Sequence, residues 1–499
     1  MDVLFRGARV VDPDTGTDQV MTVGVTGDRI THVGPGDPPP STTTTVLDAS
    51  GLVLAPGFID LHSHAQSPTG HRLQALDGVT TALDLESGAL PVAAHYAEAE
   101  AEGRPLNFGF SASWALARLH VMAQVPLPRY APGERATTPL EVFQRHQTDP
   151  RWLGPATPAQ VDRVLDLLEG GVAEGALGIG VLLGYAPGSG REEYFRVAQR
   201  AEQLGVGVST HARHMSALEP GSSLDGALEV IAAAAGTGAA LHLCHVNSTS
   251  LRRVDQVGAA LVRAAELGNR VTTEAYPYAM FSTGIGAAFL APEHLGRLGV
   301  QPTDVLFLPT GERVRDAERL RELRATDPGG LCVVDFLDAG DAADQTLLAR
   351  AVSLPGAVVA SDAMPLVRGT RYDVHDEWPV PPGAAVHPRS AGTFARALRW
   401  MVRERGDWTL LEAVERCSTG PARILEPWVP AMRRKGRVAV GCDADLVLLD
   451  LEATTDRASA AAVLPSSGVR HLLVGGEFVV RDGQLDLTAL PGRPVRSGG

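Results

Sequence analysis

The sequence predicts an α/β protein: a (β/α)8 TIM-like barrel with a small β-sandwich domain built from both chain ends. Across the middle of the chain, short apolar runs alternate with longer Ala-, Leu-, Glu- and Arg-rich segments of helical period, as in βα units around a parallel sheet. The two ends instead carry β-branched runs bounded by glycine, proline and aspartate, which indicates short strands and turns. We therefore expect sandwich parts at 1–56 and 431–499 and the barrel at 57–430.

The number of apolar runs in the middle part matches the eight strands of a barrel. The runs lie at 57–64, 80–86, 107–113, 176–184, 205–213, 240–246, 270–278 and 357–363. An open doubly wound sheet is the alternative, but no G-x-G-x-x-G motif follows an early strand. Two segments, 114–158 and 279–355, exceed ordinary loop length, and in barrels such segments usually cover the active-site mouth as lids or substrate walls.

Composition excludes several classes of protein. The net charge of −14 gives an acidic surface that repels nucleic acid and anionic membranes. No apolar run reaches the ~18 residues of a membrane span, and the first residues lack the pattern of a secretory signal. We expect a cytoplasmic protein without nucleic-acid or membrane partners, and leave a homo-oligomer open. The four cysteines show no CxxC spacing, so neither a disulfide framework nor a zinc finger is indicated.

Four histidines are the candidate metal ligands. His62 and His64 lie two residues apart after the first barrel run, so both project to the barrel interior. His211 and His245 end two later runs, and catalytic groups of barrel enzymes lie at the carboxyl ends of the strands. Imidazoles that converge there suit a borderline metal ion.

Three neighbouring residues are expected to be structural. His214 lies past the end of its strand and should face a loop. His242 and Cys244 have the opposite parity to His245, so they should point outward to the helices.

A carboxylate is expected to complete the metal site. Two-metal sites need an anionic bridge, which is often a carboxylated lysine, but the only lysine, Lys435, lies in the C-terminal β region. Asp84 and Glu86 share the inward face of the second run, and Glu86 is nearer the open end. Glu86 is therefore the predicted ligand, with Asp84 or Ser87 as the alternatives.

Asp362, at the end of the eighth run, is the predicted catalytic residue. A single aspartate at a strand end is often a helix cap. Opposite four histidines at the barrel mouth, it is better placed to accept a proton from metal-bound water.

Several motifs together resemble the amidohydrolase superfamily, and within it the N-acyl-D-amino-acid deacylase (D-aminoacylase) family. They are GLVLAPGFIDLHSH at 51–64, GVTT at 78–81, GALGIG at 175–180, THAR at 210–213, CHVN at 244–247, YPY at 276–278, SDA at 361–363, HPRSAGTFARAL at 387–398 and GRVAVGCDADLVLLD at 436–450. The resemblance covers most of the chain.

The resemblance implies zinc as the cofactor, as one or two ions, with another divalent metal as the alternative, and Asp362 as general acid and base. It also implies that Arg389 pairs with a substrate carboxylate, which suits the planar guanidinium. Tyr185 and a tyrosine of the YPY motif, Tyr276 or Tyr278, would line the pocket.

The sequence departs from the family pattern at three places. Ala65 and Gln66 replace the acidic residues after the second histidine, and the position of the family's cysteine ligand falls on Ser87. Asn247 stands where the family has a lysine after the fourth metal histidine. We therefore expect a metal site rebuilt around a carboxylate, and a substrate head group held differently, with Asn247 among the substrate-binding residues.

The predicted function is metal-dependent hydrolysis of an amide C–N bond outside peptide chains, as in the deacylation of an N-acyl (D-)amino acid, a small molecule. The nearest alternative is a hydrolase of cyclic amides of the hydantoin or lactam type, and Arg389 is the residue expected to discriminate the two. A non-catalytic barrel scaffold is the alternative from another class.

Overall fold

A nearly closed barrel of eight parallel strands forms the centre of the molecule, in a computed structural model that describes residues 1–39, 41–129, 138–370, 372 and 374–498. Each strand pairs with the next in chain order, and the first meets the last where His64 N donates to Ala363 O at 2.7 Å. The strands are Phe58–Asp60, Val79–Ala89, Asn107–Ser113, Ile179–Leu182, Val208–His211, Leu241–Leu243, Val271–Ala275 and Ala357–Val359. Each predicted run overlaps one of them, so the predicted barrel is confirmed.

Helices surround the barrel and fill its connections. In Pro158–Ala173, Thr157 and Gln160 form a capping box and Pro158 occupies the first turn, which fixes where the helix begins. The other α-helices are Pro68–Ala75, Val92–Glu102, Trp114–Arg118, Pro139–His146, Pro150–Leu153, Arg191–Leu204, Ser223–Thr237, Val246–Ser250, Val254–Glu266, Leu295–Leu298, Ala317–Thr326, Ala342–Val352, Arg389–Ala397, Leu410–Val414 and Gly420–Leu425. Wider π-type turns lie at Leu119–Ala123, Leu398–Glu404 and Glu415–Thr419, and 3₁₀ turns at Leu183–Tyr185, Ala288–Leu290, Pro302–Asp304 and Pro430–Arg434. Within the described residues, no helix combines the length and the apolar character needed to cross a bilayer.

Both chain ends contribute strands to one nine-stranded sheet beside the barrel, which confirms the prediction that the two ends build one β domain. The two ends join where Val53–Pro56 pairs antiparallel with Leu446–Leu449. Leu446 and Leu448 face the core of the β domain, whereas Val447 and Leu449 face the barrel, as the two-residue period of a strand requires. The strands are Val3–Asp12, Thr17–Thr26, Arg29–Gly34, Thr45–Asp48, Val53–Pro56, Leu446–Leu449, Val469–Val474, Glu477–Arg481 and Gln484–Leu485.

The two long segments of the barrel lie over the carboxyl ends of its strands. The first contains the helices between 114 and 153, with residues 130–137 outside the described part. The second contains an antiparallel sheet of Met280–Gly284, Val305–Phe307, Glu312–Arg313 and Leu331–Asp335, and a further two-stranded pair joins Val367–Arg368 to Ala384–Ala385. Both segments supply walls of the cavity described below, as expected.

A buried ion pair fastens the β domain to the barrel. Lys435 Nζ contacts Asp445 Oδ2 at 2.6 Å, and both side chains are less than a tenth exposed. Asp445 also accepts hydrogen bonds from Asn107 Nδ2 of the third barrel strand and from the backbone of Gly475. One carboxylate therefore connects three segments of the chain.

We expect Asp445→Ala to lower the free energy of unfolding by about 3–5 kcal/mol, because it removes the closer of the two carboxylates around the buried Lys435 ammonium and leaves only Asp443, at 3.0 Å. It also leaves the Asn107 side-chain amide and the Gly475 backbone amide without their acceptor. Urea unfolding followed by circular dichroism measures this loss. Glu266→Ala, which breaks the exposed Arg263–Glu266 pair, is the control and should leave stability nearly unchanged. Equal small losses in both variants would contradict the proposed fastening role.

Candidate metal centre and the cavity above it

The four predicted histidines and Glu86 converge at the mouth of the barrel. Glu86 lies between two pairs of imidazoles. Its Oε2 is 3.2 Å from His62 Nε2 and 3.7 Å from His64 Nε2. Its Oε1 is 3.1 Å from His211 Nδ1 and 2.9 Å from His245 Nε2. A carboxylate shared in this way is placed to bridge two cations.

Asp362 lies beside the first pair of imidazoles. Its Oδ1 is 3.5 Å from His62 Nε2 and 3.6 Å from His64 Nε2, and its Oδ2 is 2.7 Å from Arg389 Nη2. Asp362 has φ of 50° and His245 has φ of 33°, a conformation that costs energy for residues with a Cβ. The surrounding fold holds both in this conformation, at the place where both side chains face the cluster.

The donor atoms fit one or two divalent cations. The donors of His62, His64 and Asp362 lie within 4.8 Å of one another, as do those of Glu86, His211 and His245. His211 Nε2 is buried and has no hydrogen-bond partner. Burying a polar nitrogen in this way costs free energy unless a bound ligand interacts with it. Imidazole nitrogens and carboxylate oxygens together suit zinc.

The electrostatic field around the first histidine pair favours positive charge. Burial lowers the pKa of His62, but the neighbouring carboxylates, above all Glu86, outweigh it and raise that pKa well above its usual value. Burial also opposes protonation of His64, yet Asp84 beside it raises the pKa of His64 to about 9. Burial raises the pKa of Glu86, but the histidines around it hold that pKa well below its ordinary range. A field that attracts protons this strongly also attracts a metal cation.

A second layer of carboxylates holds the outer nitrogens of the first histidine pair. The sequence analysis did not identify Glu274, and it considered Asp84 only as an alternative metal ligand. His62 Nδ1 donates to Glu274 Oε1, and His64 Nδ1 donates to Asp84 Oδ1 at 3.1 Å. Asp84 also accepts a hydrogen bond from the Ser87 backbone amide. It therefore holds the His64 imidazole at Nδ1, while Nε2 of the same ring faces Glu86. The sequence did carry a signal for Glu274, since a carboxylate inside a buried strand requires a partner.

The prediction that His242 and Cys244 point outward is wrong. His242 Nε2 lies 3.0 Å from Glu274 Oε2, and the Cys244 thiol lies within 4.8 Å of donor atoms of His62 and Glu86. The strand ends at Leu243, and His245 takes a positive φ. The alternation of side-chain directions along the strand therefore ends before Cys244 and His245.

His214 behaves as expected. It lies beyond its strand, against the loop that contains Gly221.

A cavity lies over the cluster, and Tyr185, which the family resemblance placed in the pocket, is one of its lining residues. The Tyr185 hydroxyl is 2.8 Å from Thr283 Oγ1, and its ring packs on His211. Among the described residues, no arginine or lysine lines this cavity. Its lining consists of His64, Glu86, Ser87, Leu140, Phe143, Gln144, Leu182, Tyr185, His211, Met215, His245, Ser248, Phe281, Ser282, Thr283, Gly284, Phe289, Asp362 and Met364.

Arg389 is fully buried behind Asp362 and does not line the cavity, in contrast to the expectation that it pairs with substrate. Its Nε donates to the Asp362 carbonyl at 2.8 Å, and its guanidinium stacks 4.6 Å from the Tyr276 ring centre. Arg389 thus forms with the Asp362 carboxylate the ion pair that was expected with a substrate carboxylate. Arg389 therefore positions Asp362.

The other predicted substrate contacts also lie away from the cavity wall. Asn247 Nδ2 donates to the Tyr276 carbonyl and its Oδ1 accepts from the Tyr276 amide, so the Asn247 amide fixes the backbone of the YPY turn. Tyr276 itself lies beneath Arg389, and Tyr278 packs on Arg396. The Tyr276 ring centre lies 6.4 Å from that of His245.

Comparison with known proteins is consistent with this geometry. An N-acyl-D-glutamate deacylase of Alcaligenes xylosoxydans xylosoxydans is 28% identical, over 99% of this chain and 96% of that protein. A D-aminoacylase of the same organism is 26% identical over 92% and 90%. The crystal structure of the Bordetella bronchiseptica N-acyl-D-glutamate deacylase, complexed with zinc and a phosphonate inhibitor, shares the fold, with a TM-score of 0.76 over 99% of both chains at 23% identity.

The family model described as "Amidohydrolase family" matches residues 45–480, which include the whole barrel and a portion of each end of the β domain. The chain belongs to the amidohydrolase family.

Proposed function

We propose that this protein is a zinc-dependent hydrolase that removes the acyl group from an N-acyl D-amino acid. The observation that carries the proposal is the Glu86 carboxylate between two histidine pairs, at the floor of a cavity into which Asp362 also faces. The likeness to full-length relatives named as deacylases of N-acyl-D-amino acids supports the substrate class.

The residues divide into two sets of cation ligands, which meet at Glu86. One set contains His62 and His64, with the Asp362 carboxylate beside them, and the other contains His211 and His245. A divalent cation held there supplies Lewis acidity, which lowers the pKa of water and polarises an amide carbonyl.

Asp362 is the proposed proton carrier. Its Oδ1 faces the histidines, and its Oδ2 is fixed by Arg389. Asp362 accepts a proton as the water oxygen bonds to the acyl carbon, and then delivers it to the nitrogen as the C–N bond breaks. The products are a carboxylic acid and a free amino acid, and no covalent enzyme intermediate is needed.

The cavity wall supports a substrate with an apolar side chain or acyl group. Five apolar side chains are among the lining residues: Leu140, Phe143, Phe281, Phe289 and Met364. Among the described residues, no cationic side chain lines the cavity, so an acidic side chain would add a second unpaired charge to that of the substrate's own carboxylate, at further cost. We therefore propose apolar substrates over N-acyl glutamate and aspartate.

A substrate panel tests this proposal. With zinc supplied, we expect kcat/KM for N-acetyl-D-leucine, -methionine and -phenylalanine to exceed that for N-acetyl-D-glutamate by at least about tenfold, because the acidic side chain lacks a partner. The L-enantiomers and two ring substrates, hydantoin and dihydrouracil, complete the panel, and dialysis against a chelator should abolish turnover. Preference for a ring substrate would assign the cyclic-amide alternative, and a protein that retains neither metal nor turnover would be a scaffold.

Asp362→Asn should lose at least about 100-fold in kcat while it retains zinc, because the amide cannot carry the proton. Steady-state kinetics together with metal analysis measure both quantities. Asp166→Asn, on an exposed helix face, is the matched control and should behave as wild type. Near-normal turnover of Asp362→Asn would reject its assigned role.

Glu274→Gln should weaken zinc binding by about 10–100-fold, because Glu274 fixes the orientation of the His62 ring and such outer partners raise ligand basicity. Competition with a chromophoric chelator measures the affinity. Glu229→Gln, which alters a buried carboxylate paired with Arg213 outside the cluster, serves as the control. Equal affinities in the two variants would show that Glu274 is only structural.

A further inference from the structure

We propose that Cys244 is an additional metal ligand, whose thiolate binds the cation held by His62 and Glu86. This inference rests on the proposed metal dependence and extends it to a donor of a different chemical kind. It makes the site a mixed nitrogen, oxygen and sulfur centre.

The position of the thiol carries the proposal. Cys244 follows the sixth barrel strand directly, and its Sγ and one donor atom each of His62 and Glu86 lie within 4.8 Å of one another. In a tetrahedral zinc site, bond lengths of about 2.0–2.3 Å place neighbouring donor atoms roughly 3.5 Å apart. Small side-chain movements are enough to bring the three donors to a common ion.

The surroundings of Cys244 differ from those of an ordinary core cysteine. Cys332 and Cys417 are both members of the main hydrophobic core. Cys244, only 1% exposed, belongs to none of the hydrophobic clusters of the described chain and instead faces the charged groups of His62 and the carboxylates around it. A thiol gains little from burial among carboxylates, whereas a thiolate gains much from a shared cation.

The backbone supports the same conclusion. The left-handed turn at His245 lets two adjacent residues, Cys244 and His245, both present donor atoms to the cluster. In a continuous strand, neighbouring side chains would face opposite sides. The turn therefore adds a sulfur donor next to an imidazole donor. A sulfur donor would favour zinc over harder ions such as magnesium or manganese.

X-ray absorption spectroscopy of the zinc-loaded full-length protein tests the proposal directly. We expect a zinc–sulfur distance near about 2.3 Å in the wild type and its loss in Cys244→Ser. Cys417→Ser, at a cysteine buried in the hydrophobic core, should retain it. With cobalt in place of zinc, the sulfur-to-cobalt charge-transfer absorption should follow the same pattern, and Cys244→Ala replaces the serine variant if the latter does not fold.

The outcomes separate this inference from the proposed function. A zinc-loaded, active wild type with only nitrogen and oxygen around the metal would overturn the role of Cys244 and leave the hydrolase intact. A wild type that binds no zinc would overturn both. Retention of the sulfur signal in Cys244→Ser would also overturn the assignment, because the described cluster contains no other cysteine.

Discussion

The fold depends on one electrostatic constraint: several carboxylates lie buried together at the barrel mouth and require positive charge. Glu86, Asp362, Glu274 and Asp84 are each less than a tenth exposed. Desolvated anions so close together are tolerated only with hydrogen-bond donors and a counter-charge. The imidazoles and Arg389 supply the donors, and the raised pKa of His62 and His64 shows that the balance still favours added positive charge. A divalent cation satisfies this requirement better than protons, because it binds several donors at once.

The barrel makes such a concentration of charge feasible. Parallel strands end at one rim, so ligands distant in sequence meet without long loops. Hydrogen bonds also hold the strand ends together beside the cluster. The Asp60 carboxylate accepts one from the backbone amide of His62 at 3.2 Å and one from that of Ser361 at 2.9 Å. Burial raises the pKa of Asp60 to about 6. One carboxylate thus ties the first histidine to the residue before Asp362 and sets the distance between the proposed metal ligands and the proposed proton carrier.

Much of this could be predicted from the sequence, because it depends on local patterns. Strand and helix periods gave all eight barrel strands, and the position of His62, His64, Glu86, His211 and His245 at strand ends was enough to bring them together. What could not be predicted depends on single backbone angles and on distant partners. The positive φ of His245 reverses the expected direction of Cys244, and the pairing of Arg389 with Asp362 joins residues from separate segments. A family likeness assigned Arg389 to substrate, but only coordinates show that its charge is already paired.

That pairing changes which part of the molecule selects the substrate. If Arg389 positions Asp362, its removal impairs the proton carrier for every amide, so it cannot distinguish an open-chain substrate from a ring. Selection then falls to the two long segments that wall the cavity, through Phe143 on one side and Phe281 and Phe289 on the other. These segments lie outside the strand ends that hold the ligands. The barrel strands therefore supply the hydrolytic chemistry, and the inserted segments, which can change without disturbing the ligands, set which acyl group and side chain reach it.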